Sequence, residues 1–159
     1  MANVLFGDWD KAGALLTGMH ALMSKNLEFA TKKNAVTLRD TMKKTINAGR
    51  PEWPPLQPKT IARKGSSKPL IDTGDMRNSI NDQMLESGGA FIGIPRAAKN
   101  RKGGDLVNIG AVHVYGSKTR NIPARDFILP AYNAVREKMI GRYRDAVKAG
   151  LRGEAYRGK

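Results

Sequence analysis

Four prolines within eight positions constrain the fold of this chain of 159 residues more than any other feature. They stand at positions 51, 54, 55 and 58 in the stretch RPEWPPLQP. Proline has no backbone N–H and its ring clashes with the preceding helical turn, so neither a helix nor a central strand can run through this stretch. The prolines therefore divide the chain into an N-terminal segment and a larger remainder.

A long helix is predicted before the prolines, because no glycine or proline occurs in residues 19–48. Its apolar positions recur mostly at helical spacing: Leu15, Met19, Leu22, Phe29, Ala35, Leu38, Met42 and Ile46. Asp8 or Asp10 can cap its first turn, and it should end near Asn47. A helix of this length is too long for the rest of the chain to cover. We expect either that part of it packs on a neighbouring subunit or that it breaks near residues 32–34.

The proline stretch opens an extended arm, residues 50–69, that carries apolar side chains at Trp53, Leu56 and Ile61. A solvated linker has no use for such side chains, so we interpret them as anchors. Two interpretations stay open. The arm can fold back on its own core, or it can dock on another chain.

A short helix and a β-hairpin are predicted next. Asp72 or Thr73 can cap a helix that runs through Ser79. The side chains expected to face the core are Leu70, Ile71, Met76 and Ile80. Residues 80–84 and 90–94 alternate apolar and polar around a turn that contains Ser-Gly-Gly, which is typical of a hairpin.

A basic loop, residues 95–104, follows the hairpin, and we expect it to be mobile because it has no apolar anchor. Its cations are Arg96, Lys99, Arg101 and Lys102. The apolar positions of residues 106–115 fit either a strand or a short helix followed by a strand. In a strand, His113 would lie on the face opposite Val112 and Val114. Gly116 should end this element.

A second long helix is predicted over residues 128–149. Its proposed core face consists of Ile128, Tyr132, Val135, Met139, Tyr143 and Ala146. The other faces carry Arg136, Lys138, Arg142, Arg144 and Lys148. Residues 151–159 read as a flexible basic tail. We therefore predict an α+β fold, with two long helices on a small, mostly antiparallel sheet, in one domain spanning residues 1–150.

The net charge of +14 is concentrated in the second half of the chain. Residues 1–90 carry 13 Lys and Arg against 9 Asp and Glu, a net +4, whereas residues 91–159 carry 15 against 5, a net +10. This half is the candidate surface for an acidic partner, either nucleic acid or protein. A solvated cationic surface that only aids solubility is the alternative.

Catalytic and metal-binding chemistry is poorly supported. The chain has no cysteine and only two histidines, His20 and His113. Asp72-Thr73-Gly74 is also the sequence of an aspartic protease loop, but here it opens a helix and lacks the strand context and second carboxylate. We predict no enzyme, metal or cofactor; a hydrolase that uses Asp72 or Asp75 is the weakest alternative.

Specific nucleic-acid recognition and membrane insertion are not indicated either. The basic loop has no interleaved aromatic residues on which bases could stack, and no helix-turn-helix or zinc-finger pattern occurs. No apolar run approaches the roughly 20 residues that span a bilayer. The charge suits non-specific contact with phosphates, so a small basic DNA-binding protein remains an alternative.

Three motifs, in this order along the chain, resemble the virion-morphogenesis or tail-completion proteins of long-tailed bacteriophages. The first is WPPL followed by TIARK, the second is PLIDTGDMRNSI at residues 69–80, and the third is AVHVYG…RNIPARDFILPA at residues 111–131. Asp126 departs from the family, which more often has proline before the Phe, and leaves the geometry at the start of the last helix undecided. Met76 replaces the usual leucine.

The resemblance implies a structural, non-enzymatic protein of the virion, assembled in the host cytoplasm. It would form a homo-oligomeric ring, expected to be a hexamer, at the head–tail junction (the neck) or the tail end. The ring would complete the tail and join it to head-completion or connector proteins and to the tail tube or tail terminator. Genomic DNA would pass through its channel without sequence-specific contacts.

The resemblance also suggests roles for individual residues. The candidate assembly contacts are Trp53, Leu56, Ile61, Lys118, Arg120 and Arg125. The candidate contacts to channel DNA or an acidic partner are Arg96, Lys99, Arg101 and Lys102. The candidate structural motif residues are Asp72, Thr73, Gly74, His113, Gly116, Pro123 and Phe127. We expect Ile122, Pro123 and Phe127 to hold their segment to the core, Arg125 to pair with a carboxylate, and residues 117–120 to become ordered only under a partner.

Overall fold

Two long helices packed side by side form the frame of the molecule. The computed structural model describes residues 7–158, so residues 1–6 of the predicted domain and Lys159 of the predicted tail lie outside it. The elements are α1 Trp9–Ala48, α2 Pro58–Lys64, α3 Asp75–Ser79, β1 Asn81–Met84, β2 Ala90–Gly93, α4 Leu106–Tyr115 and α5 Ile128–Leu151. The long helices accompany a two-stranded antiparallel sheet, so the predicted α+β class is confirmed.

Helix α1 is a single uninterrupted element of 40 residues. Asp8 caps it by accepting a hydrogen bond from the Lys11 backbone N–H at 3.2 Å, and Gly49, with φ of 70°, ends it. The alternative break near residues 32–34 does not occur. Asn34 is buried there, and its side-chain amide donates to the Met139 carbonyl of α5 at 3.2 Å. Asn34 thus belongs to the interface between the two helices.

The buried face of α5 matches the predicted one only in part: Val135 and Ala146 are buried as expected, and Met139 and Tyr143 are half-buried. Its buried residues are Ala131, Val135, Arg142, Ala146 and Gly150. Ile128 and Tyr132, which were expected to face the core, are largely exposed. Small residues bring the two backbones close together: a Cβ atom on Gly150 would lie 3.3 Å from the Met23 Cα atom. The helices pack closely because Ala131, Ala146 and Gly150, which have small or no side chains, lie on the buried face of α5.

Arg142 was predicted to lie on an outer face, and this was wrong. It is buried between α1 and α5, where Nη1 donates to the Thr37 hydroxyl at 2.7 Å and to the Asn34 side-chain oxygen at 3.1 Å. A buried guanidinium needs such acceptors because an unsatisfied polar group in the interior is destabilising. Polar side chains thus bind α5 to α1.

The apolar core lies at the C-terminal end of α1. Its buried members are Met42, Ile46, Trp53, Leu70, Met76, Ile80, Leu106, Phe127 and Ala131. The inward positions predicted around the short helix α3 are therefore confirmed, with Ile71 packed at the edge of the core. The predicted hairpin is confirmed too, with Asn81 opposite Gly93 and Met84 opposite Ala90.

The caps of the short helices differ from the predictions. Gly74, with φ of 82°, is the N-cap of α3, so neither Asp72 nor Thr73 caps this helix. The Thr73 hydroxyl instead accepts a hydrogen bond from the Asp75 N–H, at 3.4 Å. Helix α2, inside the arm, was not predicted. It begins at Pro58, and the missing N–H of proline is tolerated there because the first N–H groups of a helix have no acceptor within it.

Residues 106–115 form a helix, so the placement of His113 on a sheet face was wrong. Asp105 accepts hydrogen bonds from the N–H groups of Val107 and Asn108, at 3.0 and 3.5 Å, and so caps α4. His113 consequently lies in the last turn of this helix. Gly116, with φ of 76°, ends it as expected.

The C-terminal residues 151–158, predicted as a flexible basic tail, contact α1 through Glu154 and Tyr156. The Asn26 side chain donates to the Glu154 carbonyl at 2.9 Å and accepts from the Tyr156 N–H at 2.8 Å. The Tyr156 ring meets Phe29 edge-on, with centroids 5.9 Å apart. The Asn26 amide therefore both donates to and accepts from the backbone of this segment, which has few apolar residues of its own to pack on α1.

Candidate functional site

The first and third motifs of the resemblance meet at one junction, where the arm crosses the connection between α4 and α5. Arg125 lies at its centre and is 4% exposed. Its Nε and Nη2 donate to the Pro54 carbonyl at 3.0 and 2.8 Å, and Nη2 also donates to the Pro55 carbonyl at 3.1 Å. Its backbone N–H donates to the His113 carbonyl at 2.6 Å. One residue therefore joins the first motif to both ends of the third.

The carboxylate partner predicted for Arg125 is replaced by two backbone carbonyls. The Pro54 and Pro55 carbonyls lie outside any helix or sheet, so no regular backbone N–H donates to them. They accept instead from the planar, forked guanidinium of Arg125. Burial lowers the pKa of Arg125 from its ordinary value. A guanidinium remains charged nonetheless, so each hydrogen bond at this junction is charge-assisted.

Trp53 and Asp126 form the second connection at this junction. The Trp53 indole N–H donates to the Asp126 carbonyl at 3.2 Å. The Asp126 carboxylate accepts from the N–H groups of Ile128 and Leu129, at 2.7 and 3.3 Å. The Asp126 side chain thus caps the first turn of α5.

Of the three residues expected to hold this segment to the core, Phe127 does so and Pro123 does not. Phe127 is 1% exposed and belongs to the core, Ile122 is half-buried, and Pro123 is exposed. The proline precedes the point at which the chain turns inward, so its ring remains in solvent.

The Asp72-Thr73-Gly74 turn lies against the basic loop. The Asp75 carboxylate accepts a hydrogen bond from the Arg101 N–H at 3.2 Å and lies 3.3 Å from its Nε. Hydrogen bonds from the Thr73 hydroxyl and then the Arg101 backbone lower the pKa of Asp75. Asp72 is exposed. The turn therefore binds the loop through Asp75.

A cavity of about 210 Å³ lies between the arm, this turn and α4. Its lining includes Leu56, Lys64, Asp72, His113 and Arg125, so residues of all three motifs share it. The pKa of His113 is lowered, chiefly by burial and further by the charges of Arg125 and Lys64. Burial also lowers the pKa of Lys64, against the opposing effect of Asp72.

Within the described part of the chain, no hydrogen bond to the imidazole fixes the orientation of His113 in this cavity, as a catalytic base would require. The buried Nδ1 atom of His113 has no hydrogen-bond partner, whereas a catalytic imidazole is normally held by a carboxylate or carbonyl at that atom. Asp75 is bound to Arg101. Among residues 7–158, no group of three or more His, Cys, Asp or Glu side chains could hold a metal ion.

The basic loop, which was predicted to be mobile and without an apolar anchor, makes several contacts within the chain. The Asn100 side chain accepts from the N–H groups of Lys102 and Gly104, at 2.9 and 2.7 Å, and Lys99 pairs with Asp105 in an isolated β-bridge. Ala98 packs against the core. The cationic side chains of the loop nevertheless point to solvent, namely Arg96, Lys99, Arg101 and Lys102.

Residues 117–122 form a closed turn without any partner, contrary to expectation. The backbone N–H groups of Ser117 and Ile122 each donate to the carbonyl of the other, at 2.8 and 2.9 Å. At Gly116 a Cβ atom would lie 2.9 Å from the Ala124 nitrogen. The close approach of the chain at Ala124 therefore requires glycine at position 116. Lys118 and Arg120 are exposed on this turn.

The candidate assembly contacts divide into three groups by exposure. Trp53 and Arg125 are covered by their own chain and are not available to another. Leu56 and Ile61 are half-buried, and Lys118 and Arg120 are exposed. Within this chain, the arm therefore folds back on its own core.

Two apolar surfaces were missed as candidate sites by the sequence reasoning. One is the α1 stripe, which we define as Lys11, Leu15, Gly18, Met19 and Leu22. The other is the α4 groove, which we define as Phe91, Val107, Ala111, Tyr115 and Ile128 over a floor that includes Met42 and Phe127. Helical periodicity pointed to part of the stripe, but the groove depends on α4 being a helix.

Comparison with known proteins supplies no relative: no protein-family model, curated protein or solved structure matches this chain. Over residues 7–158, no helix is both long and apolar enough to cross a membrane.

Proposed function

We propose that this chain is a structural virion protein of a tailed bacteriophage. Copies of it form a ring, a hexamer, at the head–tail junction or tail end, which completes the tail and joins it to the head connector around the DNA channel. The observation that carries the proposal is the region around Arg125, where this residue joins the first motif to the third and where both line a cavity together with the second motif.

The contacts at this junction support a structural role for the motifs. Arg125 and Trp53 use their polar groups to bind backbone carbonyls of distant segments. Gly74 and Gly116 occupy backbone conformations with positive φ that favour glycine. Motif residues of these kinds determine the path of the chain, as expected of a protein that presents surfaces for assembly.

The exposed cations support a position beside the DNA channel or an acidic neighbour. Arg96, Lys99 and Lys102 lie on the basic loop, and Lys118 and Arg120 lie on the turn after α4. DNA carries about one charge per 1.7 Å of its axis, so a cationic wall binds it without reading its sequence. Such contacts suit a channel through which a genome moves.

The test is to delete the coding sequence from the phage that carries it and to image the particles by electron microscopy. We expect filled heads and separate tails, or tails that lack their terminal ring, with attachment restored when the chain is supplied. Mass spectrometry should detect the chain in purified complete virions. Normal, infectious particles without the chain would refute the proposal.

A small non-specific DNA-binding protein is the second candidate, and the net charge of +14 favours it. This alternative requires that the isolated chain bind duplex DNA tightly and that the affinity fall steeply as salt rises. The proposal instead expects weak binding by isolated chains. Titration of a labelled duplex at two salt concentrations separates the two.

A further inference from the structure

The first third of α1 extends beyond the rest of the described chain. The last turn of α5 meets α1 at Met23, next to Gly150, and the C-terminal residues then turn back towards Asn26 and Phe29. Leu15 and Leu16 are 68% and 67% exposed. Gly153, just after α5, borders the apolar groove at this end, but within residues 7–158 no helix packs over residues 9–22 as α5 packs over the rest of α1.

The exposed α1 stripe continues the face that α5 covers further along. Leu15, Met19 and Leu22 are followed at helical spacing by the buried residues Asn26 and Ala30. Between its side chains runs a shallow apolar groove of about 550 Å³. The face is therefore built for protein contact along its whole length, and its first third lacks the partner.

The α4 groove is the second exposed apolar surface of the same chain. It has a volume of about 210 Å³ and an almost wholly apolar lining. Tyr115 at its rim is 83% exposed, and Phe91 and Ile128 are also substantially exposed. A groove over a floor of core side chains accepts large apolar side chains from a helix face.

The two surfaces cannot meet within one molecule. Met42 lies in the floor of the groove and 27 residues after Leu15 on the same unbroken helix. At 1.5 Å per residue, about 40 Å of rigid helix separates them. The α1 stripe can therefore contact an α4 groove only on another copy of the chain. A pair joined in this way still has one free stripe and one free groove, to which further copies can bind.

We propose that residues 9–22 of one copy seat their α1 stripe in the α4 groove of the next copy. Charge does not oppose the contact, because residues 9–22 are net neutral in a chain of +14 and Lys11 is paired with Asp8. Lys118 and Arg120 lie just beyond the rim residue Tyr115, so a neutral segment approaches them without like-charge repulsion. A contact between different patches is heterologous and generates a closed ring when the rotation permits. The inference rests on the proposed function and names the contact that builds its ring.

Charge substitutions on each surface of the full-length chain test the contact. Leu15→Glu places a carboxylate in the stripe, and Ala111→Glu places one in the groove; both positions are exposed, so the fold should persist. His20→Glu is the matched control, because it lies on the opposite, exposed side of α1. Sedimentation velocity should give oligomers for the unmodified chain and the control, and single chains for both surface variants.

Mixing the two surface variants distinguishes the proposed contact from a symmetric pairing of two stripes. The groove variant keeps an intact stripe and the stripe variant keeps an intact groove, so a mixture forms pairs that cannot grow further. We expect pairs in the mixture and single chains in each separate sample. Circular dichroism melting of each variant confirms that it is folded.

Each contrary outcome overturns the contact. Single chains for the unmodified protein, assembly of Leu15→Glu like that of the control, or normal assembly of Ala111→Glu would each reject it; the last would point to stripe–stripe pairing or another partner. Failure here leaves the proposed function standing if the chain is present in virions. Conversely, rings of a chain that virions lack would retain the contact and reject the function.

Discussion

At the scale of single residues, Phe127 determines how the last helix begins. Its buried ring belongs to the same core as Trp53 from the arm and Leu106 from α4. Because truncation leaves a cavity that close-packed neighbours fill only in part, we expect Phe127→Ala to lower the free energy of unfolding by about 3–5 kcal/mol. Urea denaturation measures this, with the more exposed Phe91→Ala as control. An unchanged midpoint would show that Phe127 is not part of the core.

Arg125 should not tolerate lysine. A single ammonium cannot reproduce the forked contacts to the Pro54 and Pro55 carbonyls, so Arg125→Lys should destabilise the fold by about 2 kcal/mol. Denaturant unfolding gives the difference, and Arg120→Lys on the exposed turn should be close to neutral. Equal stability of both variants would mean that the carbonyl contacts contribute little.

His113 should make stability depend on pH. Its pKa in the folded chain is lowered by burial and by the charges of Arg125 and Lys64, whereas the unfolded chain has the ordinary value of about 6.5. Above that value the imidazole is neutral in both states. As pH falls below it, the unfolded chain takes up the proton first, so stability declines until the folded pKa is passed.

Urea midpoints measured from about pH 8 down to about pH 5 test this dependence. We expect the unmodified chain to lose stability across the lower part of this range and His113→Gln to show a flatter profile. The lowered pKa of Asp75 acts in a separate window, because its contribution is lost only as pH falls below the ordinary carboxyl value of 3.8. Identical slopes for the two proteins would exclude His113 as the source.

The motifs themselves were visible in the sequence, but most of their contacts were not. Arg125 was expected to find a carboxylate, yet its partners are backbone carbonyls, which leave no mark in a residue pattern. Arg142 was assigned to a charged outer face for the same reason: its acceptors are a hydroxyl and an amide on a different helix. Sequence reasoning locates charged groups and does not identify neutral acceptors.

At the scale of elements, predictions succeeded where periodicity extended over many residues. The bounds of α1 and α5 were close to those predicted because each carries several turns of pattern between clear end signals. Residues 106–115 were ambiguous because apolar residues occupy both faces of a short segment. The cap at Asp105, with Asn108 three positions later, was the available sign of a helix.

The turn after α4 requires glycine at position 116. Gly116→Ala combines a φ of 76° with a Cβ atom 2.9 Å from the Ala124 nitrogen, so we expect a loss of more than about 1 kcal/mol. Gly141→Ala is the converse control, because that helical position has open space around it and alanine should stabilise α5 by up to about 1 kcal/mol. Thermal melting of the two variants should shift in opposite directions; a shared direction would contradict the steric argument.

At the scale of the whole molecule, stability should be unevenly distributed along α1. Residues 26–46 are covered by α5 and the core, whereas residues 9–22 are mostly exposed in the single chain and would be covered by the next copy in the proposed ring. Hydrogen exchange should therefore show protection of residues 9–22 in assembled chains and its loss in Leu15→Glu, with residues 26–46 protected in both. Equal protection of residues 9–22 in the two samples would mean that assembly does not cover them.

The unbroken course of α1 has a geometric consequence. A stiff rod of 40 residues spans about 60 Å, so in the proposed ring the number of residues in this helix would set the distance between one neighbouring copy and the other. Seven added residues, close to two full turns, would preserve which side chains face outward while lengthening the rod by about 10 Å. The number of copies that close a circle, and with it the width of the central opening, would then change with helix length alone.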